Sequence, residues 1–266
     1  MKKKNIPIEF VYQVFALIII VIVVQGYYMS VVRPNAAEAL EEQYRLQEQN
    51  PNYVPERSVW VLIKDYEQEA CFILMFWAFA IIGYKAFQLS RERRLLEIDL
   101  IPIADGMRIL PEDTREFARQ IQALPEDQQR LLLPRALLSA LRRFATTQNI
   151  QDVTNIAQSV CETEADKLES DLSMIRYIAW AIPAIGFIGT VRGIGDALAQ
   201  ANRAVQGDLA GVTESLGLAF NSTLIALLIS IVLMFLIHQL QSVQERLVFD
   251  TEAYCDEKLI RHMKAD

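Results

Sequence analysis

The sequence predicts an all-α integral membrane protein with four transmembrane helices, and three observations lead to this fold class. Of the 266 residues, 52% are hydrophobic. These residues are bunched into four runs that carry little charge, and apolar runs of about 20 residues are long enough to cross a bilayer as helices. The longest polar stretch repeats leucine at helical intervals, which predicts a helical domain between transmembrane helices 2 and 3. The repeating positions include Leu131, Leu132, Leu137, Leu138 and Leu141.

The four runs define the predicted spans. The first extends from residue 10 to 32 without Asp, Glu, Lys or Arg, and at 1.5 Å per residue it reaches about 34 Å. The second covers residues 68–89, because Lys85 near its end can extend its ammonium group to the interface. The third and fourth spans cover residues 173–198 and 216–238, and the last two helices are expected to be extended.

Basic residues give the predicted orientation. Lysines 2–4 precede the first span, and Arg91, Arg93 and Arg94 follow the second. The positive-inside rule then places both termini in the cytoplasm, for a multi-pass protein of the bacterial inner membrane. The predicted segments are the N-terminus with the first span (1–32), an outer periplasmic loop (33–67), the second span (68–89), a cytoplasmic helical domain (90–172), the third span (173–198), an outer loop (199–215), the fourth span (216–238) and a cytoplasmic C-terminal helix (239–266).

One alternative concerns the N-terminus. A lysine-led apolar run is also typical of a secretory signal peptide. The run is long, however, and Asn35-Ala36-Ala37 is a poor cleavage site, so an uncleaved span is the preferred interpretation.

Composition argues against several classes of function. The net charge of −7 does not suit nucleic-acid binding, which calls for a basic surface. Cys71, Cys161 and Cys255 lie far apart in sequence, and with two histidines in the chain we expect neither a disulfide framework nor a metal site. The segment 90–172 has no histidine and no glycine-rich phosphate loop, so we predict no catalytic residue, no cofactor and no enzyme activity.

Small residues line one face of each of the last two spans. They recur at steps of three and four, which places them on a single helical face. The stripe of span three consists of Ala179, Pro183, Gly186, Thr190, Gly193 and Ala197, and that of span four of Leu216, Ala219, Thr223, Ala226 and Ser230. Such stripes either pack two helices closely together or, repeated with a threonine near each middle, line a shared channel.

Titratable groups are missing where a proton path would need them. No Asp, Glu, Lys, Arg or His occurs from residue 215 to 237, and span three has charges only at Arg176, Arg192 and Asp196. We expect Arg192 and Asp196 to form an ordinary surface ion pair. An intramembrane proton relay requires a titratable group. The sequence therefore predicts either that nothing titrates or that another polypeptide supplies the acid.

Two motifs within residues 175–239 carry a family resemblance. Residues 182–194 read IPAIGFIGTVRGI and resemble the Pro-x-x-Gly-x-x-Gly-Thr-Val-x-Gly signature of the MotA/TolQ/ExbB family of proton-channel stator subunits. Residues 218–226 read LAFNSTLIA and are similar to the Ala-Leu-x-x-Thr-x-x-Gly pattern of that family's last helix. Two departures are the leucine Leu218, near the place where some ExbB-like chains carry an acid, and Ala226 in place of the last glycine.

The resemblance implies a function and a partner. It implies a pentameric, ring-forming stator subunit of an ion-motive-force-driven motor, with a single-span MotB/TolR/ExbD-like partner whose membrane aspartate carries the proton. The predicted pore-lining residues are Pro183, Gly186, Thr190, Gly193, Ala219, Thr223, Ala226 and Ser230. Four spans are typical of flagellar stators and three of the TolQ and ExbB types, so the branch and the choice between proton and sodium stay open. The alternative function is a non-conducting membrane scaffold that recruits cytoplasmic proteins.

Overall fold

The computed structural model describes residues 8–50, 58–102, 108–207 and 209–264, and these residues are helical almost throughout. The β structure within those ranges is an isolated parallel bridge between Ile109 and Met263. The chain divides into two compact units. The first unit contains residues 1–82 and 174–237, and the second contains residues 83–173 and 238–266. The predicted all-α class is confirmed.

The first unit begins with a long helical segment. Helix α1 (Ile8–Tyr27) passes through a π-helical turn (Tyr28–Val32) into helix α2 (Arg33–Gln49). A short helix α3 (Val59–Ile63) precedes α4 (Tyr66–Leu96), which starts in the first unit and ends in the second. The segment 33–67, predicted as a loop, is therefore largely helical where it is described, because residues 36–49 are mostly Ala, Glu, Leu and Gln, which favour helices.

The last two predicted spans are long helices joined by a short connection. Helix α9 (Ser173–Ala199) carries Pro183 in its interior, α10 (Ala201–Val205) is one turn long, and α11 (Ala210–Lys258) is a single helix of 49 residues. The predicted continuation of the fourth span into the C-terminal tail is confirmed. Within the described chain, four helical segments are long and apolar enough to cross a membrane, namely Glu9–Gln49, Tyr66–Leu96, Ile150–Ala199 and Ala210–His262.

The second unit adds four helices to the ends of α4 and α11. These are α5 (Thr114–Gln122), α6 (Glu126–Gln129), α7 (Leu132–Thr147) and α8 (Ile150–Asp171). Helix α7 ends at Gln148 in the left-handed conformation, and the Asn149 side chain accepts a hydrogen bond from Gln151 N to cap α8. The apolar core of this unit is built mainly from Leu137, Leu141, Phe144, Val153, Ala157, Cys255 and Leu259.

The leucines predicted to mark a helical face in the second unit divide into two groups. Leu132, Leu137 and Leu141 are fully buried, whereas Leu131 and Leu138 pack partly buried at the margin of the core. The helical spacing of these residues is thus confirmed as the packing face of α7.

Candidate functional site

Helices α9 and α11 approach each other so closely that three glycines of α9 leave no room for a side chain. A Cβ atom on Gly186 would lie 2.5 Å from the Cβ of Ala226, and one on Gly189 would lie 2.4 Å from Ser222 Oγ. A Cβ on Gly193 would lie 2.7 Å from the Ser215 carbonyl oxygen. Small faces of this kind let helix backbones meet in lipid, where apolar contact alone provides little driving force.

Hydroxyl groups join the same two helices at the level of the threonines. Thr190 and Thr223 are directly hydrogen-bonded to each other. Thr190 Oγ1 also lies 3.1 Å from the Ala219 carbonyl oxygen, and Thr223 Oγ1 lies 3.0 Å from that of Gly186. Since each hydroxyl has one proton and two lone pairs, the pair can exchange donor and acceptor roles without any fixed charge. About two helical turns further on in α11, Ser230 Oγ donates to the Ala179 carbonyl oxygen at 3.2 Å.

Seven of the eight residues predicted to line a pore lie against the other helix, and Pro183 precedes Gly186 in α9. By burial the eight form two groups. Gly186, Gly193, Ala219 and Ala226 are fully buried between the helices. Pro183, Thr190, Thr223 and Ser230 are partly exposed. The four buried residues are therefore packed between two helices of the same chain, as the close-packing interpretation of the small stripes predicts. The pore-lining role stays a prediction.

A carboxylate from α4 reaches this contact and pairs with an arginine of the glycine-rich motif. Glu67 Oε2 lies 2.9 Å from Arg192 Nη2, and the Glu67 side chain passes over Gly189, because a Cβ on that glycine would be 3.2 Å from Glu67 Cγ. The predicted surface pair between Arg192 and Asp196 is therefore wrong. The arginine instead joins helices α4 and α9.

The start of α4 carries two further polar contacts. Glu69 Oε2 accepts from Arg33 Nη2 at 2.7 Å, and the Arg33 guanidinium stacks over the Tyr66 ring at 4.6 Å from its centroid. Sequence reasoning missed Glu67 and Glu69. The stretch Asp65-Tyr-Glu67-Gln-Glu69 could have indicated them, because it places three acids at the start of the second predicted span.

A groove of about 430 Å³ lies between α2, the turn that joins α3 to α4, and the first turns of α11. Its polar lining includes Tyr44, Lys64, Asp65, Glu214 and Asn221, and its apolar lining includes Leu40, Val61 and Leu218. Tyr44 Oη donates to Glu214 Oε2 at 3.1 Å. Burial raises the pKa of the Asp65 carboxyl above its usual value, although Lys64 and Arg192 act in the opposite direction.

The outward faces of α1, α9 and α11 are apolar and exposed. Trp180, Phe187 and Leu198 project from α9, and Phe220, Ile231 and Phe235 project from α11. Exposed apolar surface on this scale marks a membrane or a protein interface. Within the described ranges, no group of three or more His, Cys, Asp and Glu side chains could hold a metal ion.

Residues 128–253 match the model of the MotA/TolQ/ExbB proton channel family. Over these residues, slightly less than half of the chain, the protein is similar to that family. The matched residues include all of α9, most of α11 and all eight of the predicted pore-lining residues. Comparison with curated proteins and with solved structures found no match for the chain.

The family match divides the candidate site into two parts. The α9–α11 contact lies inside the matched residues, whereas Glu67, Asp65 and Tyr44 precede residue 128 and lie outside them. Similarity to a proton channel family agrees with a membrane protein whose hydroxyl-bearing contact has no fixed charge in residues 215–237. The family match thus does not extend to the polar start of α4, and it covers only the α11 side of the groove, which includes Glu214, Leu218 and Asn221.

Proposed function

We propose that the chain is the ring-forming stator subunit of an ion-motive-force-driven inner-membrane motor, which converts proton flow into mechanical work. The observation that carries the proposal is the hydrogen-bonded pair Thr190–Thr223 at the glycine-lined contact of α9 and α11. Both threonines lie within the residues that match the proton channel family. Hydroxyls at such a contact can order water or bind a partner's carboxyl group without adding charge to the membrane interior.

The burial of the eight site residues supports two roles for them. Gly186, Gly193, Ala219 and Ala226 set the close distance between the helices, because they are buried between them. Thr190, Thr223, Ser230 and Pro183 retain exposed surface and are the members of the set that would face the pore. The pore is then lined by the edge of the α9–α11 contact, repeated around a ring axis.

A pentameric ring accounts for the apolar faces that a single chain leaves exposed. In the ring, exposed side chains such as Phe187 on α9 and Ile231 on α11 would contact either a neighbouring subunit or lipid. One α9–α11 pair cannot enclose a cavity, but several pairs arranged about an axis can. Native mass spectrometry of the purified chain in lipid nanodiscs should therefore record five copies, and a stable monomer with lipid retained would contradict the ring.

The acid that carries the proton is assigned to a single-span MotB/TolR/ExbD-like partner with a membrane aspartate. Residues 216–238 of this chain contain no carboxylate. Glu67, a carboxylate that reaches the α9–α11 contact at Gly189, is paired with Arg192 at 2.9 Å, and moving a bare charge through hydrocarbon is costly. Two-component conduction follows, with both termini of this chain in the cytoplasm and the segment 90–172 on the same side.

Reconstitution tests the proposal directly. This chain is placed in liposomes with its partner, with the partner's membrane aspartate changed to asparagine, and by itself, and internal pH is followed under an imposed gradient. We expect proton flux from the intact pair and none from the other two samples. Flux from this chain by itself at the rate of the pair would contradict two-component conduction. Absence of flux from the intact pair would favour the non-conducting scaffold.

A further inference from the structure

The carboxyl group of Asp65 has an unusual position in the groove. It lies in the turn between α3 and α4, and its carbonyl oxygen accepts from Glu69 N at 3.0 Å to begin the helix. The side chain lines the groove. Its Oδ2 atom is buried and has no hydrogen-bond partner among the described residues. A buried acceptor without a donor costs about 1–3 kcal/mol, and more when it is ionised.

A second unsatisfied acceptor lies one helical turn away. Gln68 is 0% exposed, and its Oε1 atom also lacks a partner among the described residues. Its Nε2 atom donates to the Leu62 carbonyl oxygen at 3.2 Å. Turning the amide over would set two oxygens against each other, so this orientation is the correct one. Two buried oxygens at the start of α4, Asp65 Oδ2 and Gln68 Oε1, thus lack a hydrogen-bond donor among the described residues.

Charged groups around Asp65 act in both directions. Lys64 and Arg192 favour its ionised form, whereas Glu67 and Glu214 favour its protonated form. Burial has the largest influence and also favours the protonated form, so the pKa is raised. Tyr44, a further titratable side chain of the groove, donates its hydrogen bond to Glu214, and the buried Tyr28 of the π-helical turn also interacts electrostatically with Asp65. Among the described residues no group donates to Asp65 Oδ2. Protonation would lower the cost of burying this oxygen, because a neutral carboxyl group is cheaper to bury than a carboxylate.

Two residues that lie close in sequence to groove residues belong to the α9–α11 contact or reach it. Asn221 of α11 lines the groove, and the next two residues of the helix are Ser222 and Thr223. From the other side, Glu67 follows Asp65 by two residues and reaches Gly189, where Ser222 Oγ also lies. A volume of about 430 Å³ accommodates several water molecules. A path of water molecules from the groove to the hydroxyls of the α9–α11 contact would pass Glu67 and Ser222, which both lie near Gly189.

We propose that this groove is the entrance for protons from the outer solution and that Asp65 is the group that takes them up. This inference rests on the proposed function, which places the groove on the outer side and makes the ring conduct protons. In the step concerned, a hydronium ion in the groove gives its proton to the Asp65 carboxylate and leaves water. The neutral acid then returns the proton to a water molecule on the side of Ser222 and Thr190, and the carboxylate is restored.

Asp65→Asn tests the assignment in the full chain reconstituted with its partner. The variant keeps the shape of the side chain but cannot exchange a proton. We expect proton flux to fall severalfold and to lose its dependence on outer pH, while Asp65→Glu restores part of both. Glu41→Gln is the matched control, since it removes an equal charge from an exposed position of α2 that does not line the groove. It should conduct like the wild type, and native mass spectrometry checks that each variant assembles.

Infrared difference spectra give a readout that does not depend on flux. On acidification of the purified ring in nanodiscs, the carbonyl stretch of a protonated carboxyl group should appear in the wild type and in Glu41→Gln and be reduced in Asp65→Asn. If Asp65→Asn and Glu41→Gln conduct equally at every outer pH, or share the same band, the uptake role is overturned while the proposed function stands. If the intact wild-type pair conducts no protons, both proposals fall.

Discussion

Helices α9 and α11 of the first unit meet through glycine, alanine and serine, whereas helices α7 and α8 of the second unit meet through leucine, phenylalanine and valine. In the first contact the backbones themselves touch, and large side chains such as Phe187 point away from it. In the second contact Leu137, Phe144 and Val153 are each fully buried. Large apolar groups gain free energy by leaving water, but they gain little by leaving lipid. The α7–α8 contact is therefore stabilised by the burial of apolar side chains, whereas the α9–α11 contact is stabilised by close backbone packing and hydrogen bonds.

Charged groups follow the same division. In the second unit the buried carboxylate of Glu164 accepts from Arg135 at 2.8 Å and Lys167 at 2.6 Å, and both cations remain partly exposed. In the first unit the ion pairs of Glu67 and Glu69 lie at the start of α4, before its apolar run. Hydroxyls bonded to carbonyl oxygens take the place of ion pairs deeper in α9 and α11. Neutral hydrogen bonds avoid the cost of burying charge in hydrocarbon.

The largest expected effect concerns the core of the second unit. Phe144→Ala should destabilise that unit by about 3–5 kcal/mol, because it leaves a cavity where a fully buried ring was packed. Hydrogen exchange of the full chain, followed by mass spectrometry, should show lost protection in α7 and α8. Phe249→Ala is the matched control, since this ring on α11 in the same unit is 70% exposed. Equal loss of protection in the two variants would contradict the claim that buried side chains such as Phe144 stabilise this unit.

An intermediate effect is expected for the smallest possible change at the α9–α11 contact. Gly193→Ala should cost about 1–3 kcal/mol through overpacking, because its methyl group would meet the backbone of α11, with Ser215 O at 2.7 Å and Ala219 N at 2.9 Å. The measurement is the thermal unfolding midpoint of the chain in nanodiscs.

Gly195→Ala provides the control for that change. It makes the same substitution two residues further along α9, where nothing lies within 4 Å. Because alanine favours helix over glycine, this variant should be neutral or more stable by about 0.5–1 kcal/mol. If both variants shift the midpoint alike, backbone contact is not what holds α9 against α11.

The smallest effect on stability is expected for the paired hydroxyls, where the effect on function is the informative one. The double substitution of Thr190→Val and Thr223→Val keeps the β-branched shape, and hydrogen bonds between membrane helices contribute about 0.6 kcal/mol each. Ring assembly should persist in native mass spectrometry, while proton flux with the partner falls.

Thr163→Val is the control for the hydroxyl pair, because this exposed threonine of α8 bonds only to the Ser159 carbonyl oxygen of its own helix. It should change neither assembly nor flux. Unchanged flux in the double variant would leave the threonines with a packing role alone.

Periodicity was sufficient to predict the elements whose pattern is local. The four spans, the continuation of α11 and the leucine face of α7 each follow from composition over one helix length. The small stripes indicated the faces of α9 and α11 that carry the site, because glycine, alanine and threonine at steps of three and four suit either close packing or a pore wall. The contact distances show close packing for the buried members of the stripes, and the pore wall stays a prediction.

Contacts between distant segments could not be predicted in the same way. Arg192 and Asp196 are four residues apart, which is the spacing of an ion pair on one helix. The structure instead offers Glu67, 125 residues away in sequence, at 2.9 Å. Likewise, the pairing of Tyr44 with Glu214 depends on α2 being a helix. The choice of partner is a property of the tertiary fold, and no local pattern encodes it.

The π-helical turn at Tyr28–Val32 has a consequence for the angle at which α2 leaves α1. In a regular α-helix each residue advances the side-chain direction by about 100°, and a π turn holds one residue more than the α-helical turn it replaces. Here Arg33 N bonds to Tyr28 O, five residues earlier. Deleting one residue from this turn would therefore restore an ordinary α-helical turn and leave α2 facing nearly the same way. Deleting one residue from the regular helix on either side would instead turn the side chains that follow by about 100° and carry Tyr44 away from Glu214. The loss of one residue should thus be tolerated within Tyr28–Val32 but not a few residues further along.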